Sequence, residues 1–541
     1  MITRRSPAGQ QSALSAWLLI STLALGCGPG RQLSPSSPYL GTLAATCASA
    51  SGDANVAEPE LAVSYADAWH EGWLASPLVV DLDGDGQVEV IGAREGRLVI
   101  WRGAGQRQNS LPVNGRIWAS PIAAELRRDL AGLELVAAAR GKVYAWSAGG
   151  QPLAGFPYSF RDEIRAIAAA DLDGDGDDEI VAATTNPLKA DRQRDLLVAL
   201  AGDGSVVSGF PPNTSGSGGC QRDCWVVGGF DQNLAIGDLD GDGRPEIVAP
   251  HDNAYISVHH HDGVLVDVAA GAYDGVTKWP GIRFLHDLAE ARTGWSEHEA
   301  SANQAHFTNS APAIADIDGN GKRELIVLGS VQNAAQSDRT RGVALWVMQS
   351  DGRRAPAWQT PLHIPEYLAG LWDYEDTNIV AATNQVTVAD LLPESGQELL
   401  FAGFDGKIHC VAADRRELWS YRYTSSDRVL TGGVVVADLS GDGRPEVVFA
   451  SYSPDNGQGQ LFVLDAAGQL LHKVALPDRG VMSVPTIADV DGDKRPEIVV
   501  ALKDGDEGKP HLLAYRVSTA RDNCLLWPTG RANALRNGSL P

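Results

Sequence analysis

Asp81-Leu-Asp-Gly-Asp-Gly-Gln-Val-Glu89 is a nine-residue acidic loop set between two β-branched runs, Pro77-Leu-Val-Val80 and Val90-Ile-Gly-Ala93. It recurs at residues 171–179, 238–246, 316–324, 438–446 and 489–497. Self-similarity at this scale predicts a repeat architecture before any single residue is interpreted.

The loop chemistry points to a cation. Carboxylates at loop positions 1, 3, 5 and 9 repel one another when folded together. A hard divalent ion such as calcium relieves that conflict, taking six to eight oxygens at roughly 2.3–2.6 Å. Glycine at positions 4 and 6 lets the backbone wrap tightly. An EF-hand needs a bidentate Glu at position 12, whereas these loops carry Gly92, Ala182, Ala249, Val327, Phe449 and Val500 there. The expected calcium ligands are Asp81, Asp83, Asp85 and Glu89; Asp171, Asp173, Asp175 and Glu179; and Asp238, Asp240, Asp242 and Glu246. Three variant loops add Asp316, Asp318, Asn320 and Glu324; Asp438, Ser440, Asp442 and Glu446; and Asp489, Asp491, Asp493 and Glu497. The last has Lys494 in place of the position-6 glycine. The bland alternative is a set of solvated acidic turns that hold no metal.

Two degenerate units complete the series. Residues 390–398 keep acids at positions 1, 5 and 9 but have Leu392 at position 3. Residues 125–134 contain Arg127, Arg128 and one extra residue, and are expected to be metal-free. The eight units begin at 81, 125, 171, 238, 316, 390, 438 and 489. Short steps hold four strand-like runs each, which predicts an all-β propeller of four-stranded blades. Glu60-Leu-Ala-Val-Ser-Tyr65 parallels Glu417-Leu-Trp-Ser-Tyr421, an outer strand entering a new blade. Residues 60–68 thus read as the outer strand of the last blade, supplied from the N-terminus. Eight blades are expected, or seven if the unit at Glu125 has collapsed.

Asp-x-Asp-Gly-Asp-Gly-x-x-Glu between two strands resembles the FG-GAP/VCBS repeat family, which includes the integrin α-chain propeller. The resemblance covers residues 60–525. The literal Phe-Gly…Gly-Ala-Pro core is absent, which places the likeness nearer the bacterial VCBS-type branch. It implies a calcium loop joining the first and second strands of a blade.

Composition excludes some functions. The net charge of −24, from 68 acids against 44 bases, argues against nucleic acid, which needs a basic face. Residues 1–26 read as an export signal, with Arg4 and Arg5 before an apolar stretch at 13–25. Leu23-Ala-Leu-Gly-Cys27 resembles a bacterial lipobox, so Cys27 is the expected lipidation site, with ordinary signal cleavage as the alternative. Residues 27–58 then form a flexible tether and 59–541 a single propeller, exported to the bacterial outer membrane or cell surface, or else periplasmic or secreted. Membrane contact is expected only through the lipid, and the chain as a monomer. Cys220 with Cys224, and Cys47 with Cys524, are candidate disulfides in an oxidising compartment. Cys410 reads as a buried free thiol.

Three consecutive inter-blade connections carry insertions, at 211–231, 271–309 and 355–383. They fall on the face opposite the calcium loops. Long loops on a rigid scaffold often carry binding residues, and these hold Trp225, Trp279, Trp295, Trp358, Tyr367, Trp372 and Tyr374. Trp279, Trp295, Trp358 and Trp372 are the candidate contacts for a protein or carbohydrate ligand. The alternative is that they pack the insertions onto the ring. His286, His298 and His306 with Asp287, Glu297 and Glu299 match no metal or acid–base template, and 259–261 reads as surface–core alternation. No catalytic residue is assigned. Calcium is expected as a structural cofactor of a cell-surface binding or adhesion module. The other reading is an extracellular polysaccharide-active enzyme, since rhamnogalacturonan lyases resemble this architecture.

Overall fold

Each acidic loop ends one short strand and begins the next, and the β-branched runs on either side pair antiparallel. In blade 1, Leu78–Val80, Glu89–Arg94, Arg97–Arg102 and Arg107–Pro112 form one meander. The first strands of blades 2 to 8 are Ile122–Ala124, Ile164–Ala170, Ala235–Gly237, Ala313–Ala315, Thr387–Ala389, Leu430–Ala437 and Thr486–Ala488. The unit at Glu125 is a full blade, so the propeller has eight blades. In blade 3 the outer edge narrows to a bridge between Leu200 and Val206. This computed structural model describes residues 47, 52–67, 71–160, 162–185, 196–212, 234–251, 255–272, 279, 282–283, 303–307, 309–333, 338, 340–370, 384–392, 396–505, 508–521 and 524–540.

The ring closes as the sequence predicts. Glu60–Ala66 pairs antiparallel with Pro510–Arg516, from Glu60 opposite Arg516 to Ala66 opposite Pro510, with register shifts between Leu61 and Val63 and between Tyr65 and Ala66. It is the fourth strand of blade 8. Cys47 is bonded to Cys524, and Cys410 is a buried free thiol.

Strand alternation builds the core between blades. Val79, Val90, Val99 and Trp101 of blade 1 pack against Val499 and Leu512 of blade 8. Their sequence neighbours Leu78, Val80, Ile91 and Ala93 pack the other way, against Ala123, Leu135 and Ala137 of blade 2. A strand covered on both faces reads as continuously apolar rather than alternating. Accordingly Glu89–Arg94, Glu134–Ala139, Glu179–Thr184 and Glu398–Ala402 are buried throughout. Fully burying one such aliphatic side chain contributes about 1.5–3 kcal/mol.

The C-terminal segment follows the inner strands, a feature the repeat pattern does not announce. Leu525–Trp527 pairs with Leu430–Ala437 of blade 7. Beyond it, five blades donate a first-strand N–H to the tail, each from the residue two before its loop. Ile487 donates to the Pro528 carbonyl (2.7 Å), Ala123 to Ala534 (3.3 Å) and Ala169 to Leu535 (2.9 Å). Ile236 donates to Asn537 (2.8 Å) and Ile314 to Gly538 (3.0 Å). The order of contacts is blades 8, 2, 3, 4 and 5, so the tail circles the inner ring. Arg531 and Arg536 are each 1% exposed, and burial pulls both guanidinium groups down to about 9. Arg536 donates to the carbonyls of Pro77 (2.9 Å), Pro121 (3.1 Å) and Gly530 (2.8 Å), and to Thr529 Oγ1 (2.6 Å).

Arg536→Ala removes the donor to three buried carbonyls and one hydroxyl at once. We expect it to destabilise the fold by roughly 3 kcal/mol or more, measured as a lower midpoint in denaturant. A midpoint within error of the parent would show that the tail does not brace the ring.

Candidate functional site

The loops are built by their own first residue. Asp81 Oδ1 accepts the N–H of Gly84 (2.9 Å) and Asp85 (3.1 Å), and Oδ2 accepts that of Gly86 (2.8 Å). Gly84 and Gly86 sit at φ 75° and 84°, where a side chain would be strained. Lys494, at position 6 of the last loop, adopts φ 65° without a glycine and still donates its N–H to Asp489 Oδ2 at 2.8 Å. The pattern recurs at Asp238, Asp316 and Asp438. Ser440 is buried and hydrogen-bonded to Asp438, while Asn320 Oδ1 accepts the Lys322 N–H.

The position-9 glutamate closes the loop. Its Oε2 accepts the backbone N–H of position 2: Leu82 to Glu89 (3.0 Å), Leu172 to Glu179 (2.8 Å), Leu239 to Glu246 (2.9 Å), Ile317 to Glu324 (3.1 Å), Leu439 to Glu446 (2.6 Å) and Val490 to Glu497 (3.0 Å). The two degenerate units keep it, with Leu126 to Glu134 (3.0 Å) and Leu391 to Glu398 (2.8 Å). Burial, opposed by that hydrogen bond, pushes Glu89, Glu134, Glu324 and Glu497 up to about 7, and Glu179 and Glu446 to about 8.

These residues fit a divalent cation. Single oxygens of Asp81, Asp83 and Asp85 lie within 4.8 Å of one another, as do those of Asp171, Asp173 and Glu179, of Asp238, Asp240 and Asp242, and of Asp316, Asp318 and Glu324. Two loops also receive a guanidinium from the third strand. Arg102 is 2.8 Å from Asp85, 3.3 Å from Glu89 and 3.7 Å from Asp83, and Arg516 pairs with Asp491 and Glu497. Arg128 of the degenerate blade-2 loop reaches across to Asp177 at 2.9 Å. In blade 4 the third strand instead supplies His260, its Nδ1 3.1 Å from Glu246 Oε1.

Of the four candidate aromatic contacts, the two among the described residues, Trp279 and Trp358, are not exposed. Trp279 and Trp358 are each 1% exposed, and their indole N–H groups donate to the carbonyls of Ser350 (2.9 Å) and Ala413 (2.8 Å). Trp358 borders a cavity with Asp318 and Glu324, yet both rings pack the insertions onto the ring, which corrects their assignment as ligand contacts. Trp295, Trp372, Cys27, Cys220, Cys224, His286 and His298 lie outside the described residues.

A different aromatic cluster occupies the face opposite the acidic loops. It comes from short connections just before the first strands of blades 8, 1, 2 and 3, from Arg165 at the start of the blade-3 first strand, and from the turn after the second strand of blade 8. Trp73 and Trp118 lie 4.9 Å apart. Arg116 stands 3.8 Å over Trp73 and 4.8 Å from Trp118, Arg165 3.8 Å over Trp118, and Lys503 Nζ 3.5 Å over Trp73. Glu163 accepts the Trp118 indole N–H at 3.0 Å. Glu71 pairs with Lys503 (3.2 Å) and Arg479 (2.9 Å), and Arg479 pairs with Asp504. Burial pulls the Lys503 ammonium down to about 8, against the opposing pull of Glu71. The sequence carries a faint signal of this cluster, a tryptophan ahead of Ala-Ser-Pro at both 75–77 and 119–121.

Fold and loops together define a repeat β-propeller with acidic strand-joining loops. Residues 438–500 match the family described as FG-GAP-like repeat, and the repeating four-stranded blades form a β-propeller. It is 25% identical over 312 residues to the rhamnogalacturonan endolyase YesW of Bacillus subtilis (strain 168), a match covering 51% of this chain and 46% of that protein. The chain thus spans less than half the length of that relative. Among solved structures, the Vibrio cholerae biofilm matrix protein Bap1 is similar at 16% identity and TM-score 0.35, covering 86% of this chain and 82% of that one. BamB from Moraxella catarrhalis is similar at 10% identity and TM-score 0.42, covering 82% and 97%. Neither likeness bears on function.

Glu134 tests the closing contact without a metal ligand set. Its folded pKa, about 7, lies above the ordinary 4.5, so the folded state holds a proton that the unfolded chain releases. The stability from that proton is full below about pH 4.5 and is lost as pH rises through 7. Glu134→Gln keeps the acceptor and needs no proton. It should leave stability unchanged near pH 4.5 and raise it by roughly 2–3 kcal/mol at pH 8, read from denaturation at both pH values. Equal effects at the two would refute the assignment.

Proposed function

We propose that the chain is an exported, calcium-stapled propeller that acts as a cell-surface binding or adhesion module for a protein or glycan. The observation that carries this reading is the rim of Trp73, Trp118, Arg116, Arg165 and Lys503 on the face away from the loops. Trp73 is half-buried, while Trp118 is buried beneath Arg116 and Arg165 and backs it. An indole edge beside two part-exposed guanidinium groups suits a sugar ring or an aromatic-rich peptide. The inner ring, where a propeller enzyme would gather its catalytic groups, carries the C-terminal tail among the described residues. Calcium in the loops would offset the carboxylate repulsion that burial makes costly. Lipidation at Cys27 would tether the module to a membrane, and Cys27→Ser would then move the protein from the detergent phase to the aqueous phase.

The second reading is a polysaccharide lyase, favoured by the match to the rhamnogalacturonan endolyase. A glycan-array screen run beside a cleavage assay separates the two. Binding without new unsaturated ends supports the module. Turnover that vanishes on mutating the rim supports the lyase.

Two outcomes follow from the binding reading. Excess chelator should lower the melting temperature by many degrees, because each site held at 100 times its Kd contributes about 2.7 kcal/mol. Asp83→Ala should remove one bound calcium. An unchanged melting curve in chelator would sink the calcium assignment. Trp73→Ala and Arg116→Ala should each weaken an array-identified ligand at least tenfold with little change in melting temperature. Undiminished binding would move the site elsewhere.

A further inference from the structure

The eight loops share one frame, so the residue opposite each closing glutamate shows how a blade departs from the rest. That partner sits at the end of the third strand. It is Arg102 opposite Glu89, Gln349 opposite Glu324, Ala412 opposite Glu398, Arg516 opposite Glu497, and His260 opposite Glu246. Among these, blade 4 alone adds a nitrogen ligand to an intact acidic loop.

The three histidines at this strand end have separate fates. His259 is fully buried and its Nδ1 meets the Gly263 carbonyl at 3.0 Å. His261 faces outward, 2.7 Å from Arg244. His260 turns to the loop, and it, Glu246 and Asp240 each offer an atom within 4.8 Å of the others. Two donors bound about 2.0–2.2 Å from one ion, at angles between square and tetrahedral, lie about 2.9–3.5 Å apart. The 3.1 Å between His260 Nδ1 and Glu246 Oε1 falls inside that span. Glu246 is fixed in place, its side chain 1% exposed and its Oε2 accepting the N–H groups of Leu239 (2.9 Å) and Asp240 (3.3 Å).

We propose that the blade-4 loop is a transition-metal site of the zinc class, bound by His260 Nδ1, Glu246 and Asp240. Calcium takes oxygen ligands, whereas imidazole favours zinc, nickel and copper. One ring would thus hold ions of two classes, selected by a single cross-strand residue. The inference rests on the reading that the loops bind cations.

The test uses the full chain with cobalt(II) as a spectroscopic probe and zinc as competitor, both in saturating calcium. One equivalent of cobalt should give visible d–d bands that one equivalent of zinc abolishes. His260→Gln, which copies the Gln349 of blade 5, should lose the bands and keep its calcium count. Asp240→Asn should weaken cobalt at least tenfold, and serves alone if His260→Gln fails to fold. Bands that persist in His260→Gln, or no bands in the parent at several-fold excess, would overturn the proposal. Calcium uptake without cobalt bands would defeat this inference and spare the calcium reading. Cobalt bands lost in His260→Gln, with no calcium uptake anywhere, would do the reverse.

Discussion

The fold depends on one buried contact made eight times: a glutamate carboxylate that accepts a backbone N–H from the second residue of its own loop. It ties the start of the second strand to the end of the first. The intervening residues must then double back, and in the regular loops the first aspartate caps the N–H groups of positions 4 and 6. Three acidic side chains are left crowded beside a buried fourth. Burial holds that glutamate well above the ordinary carboxylate range, and a cation bound beside it would offset the carboxylate repulsion. Blades 2 and 6 keep the contact without the full ligand set, which separates the folding role of the glutamate from any role in binding an ion.

Ring closure is reinforced at both ends of the chain. The outer edge of blade 8 is completed by Glu60–Ala66, and the inner strands of five blades are bridged by the tail. The Cys47–Cys524 bond links the two terminal segments. A propeller without such ties holds its first and last blades together only through side-chain packing. Here two backbone seams share that task.

The repeat units, the blade count and the closing strand were all legible in the sequence, because each is a periodic pattern. The alternation of Glu60-Leu-Ala-Val-Ser-Tyr65 matched an outer strand, and an outer strand it is. The tail was not legible. Thr529–Ser539 has no repeat and reads as polar and exposed, yet its arginines are buried against carbonyls that no side-chain pattern reveals. The site was legible only in part. Acidic spacing marked the loops, but His260 enters through cross-strand register, which a linear motif does not contain. Aromatic density in the insertions pointed to Trp279 and Trp358, whose rings serve packing, while Trp73 and Trp118 come from connections too short to attract notice.

The most direct test of this account is a crystal structure at saturating calcium, with anomalous scattering used to place the ions. The account predicts an ion in the loops beginning at Asp81, Asp171, Asp238, Asp316, Asp438 and Asp489, and none in those beginning at Glu125 and Asp390. The glutamate-to-backbone contact should persist in all eight. Empty acidic loops, or ions in the two degenerate ones, would contradict it.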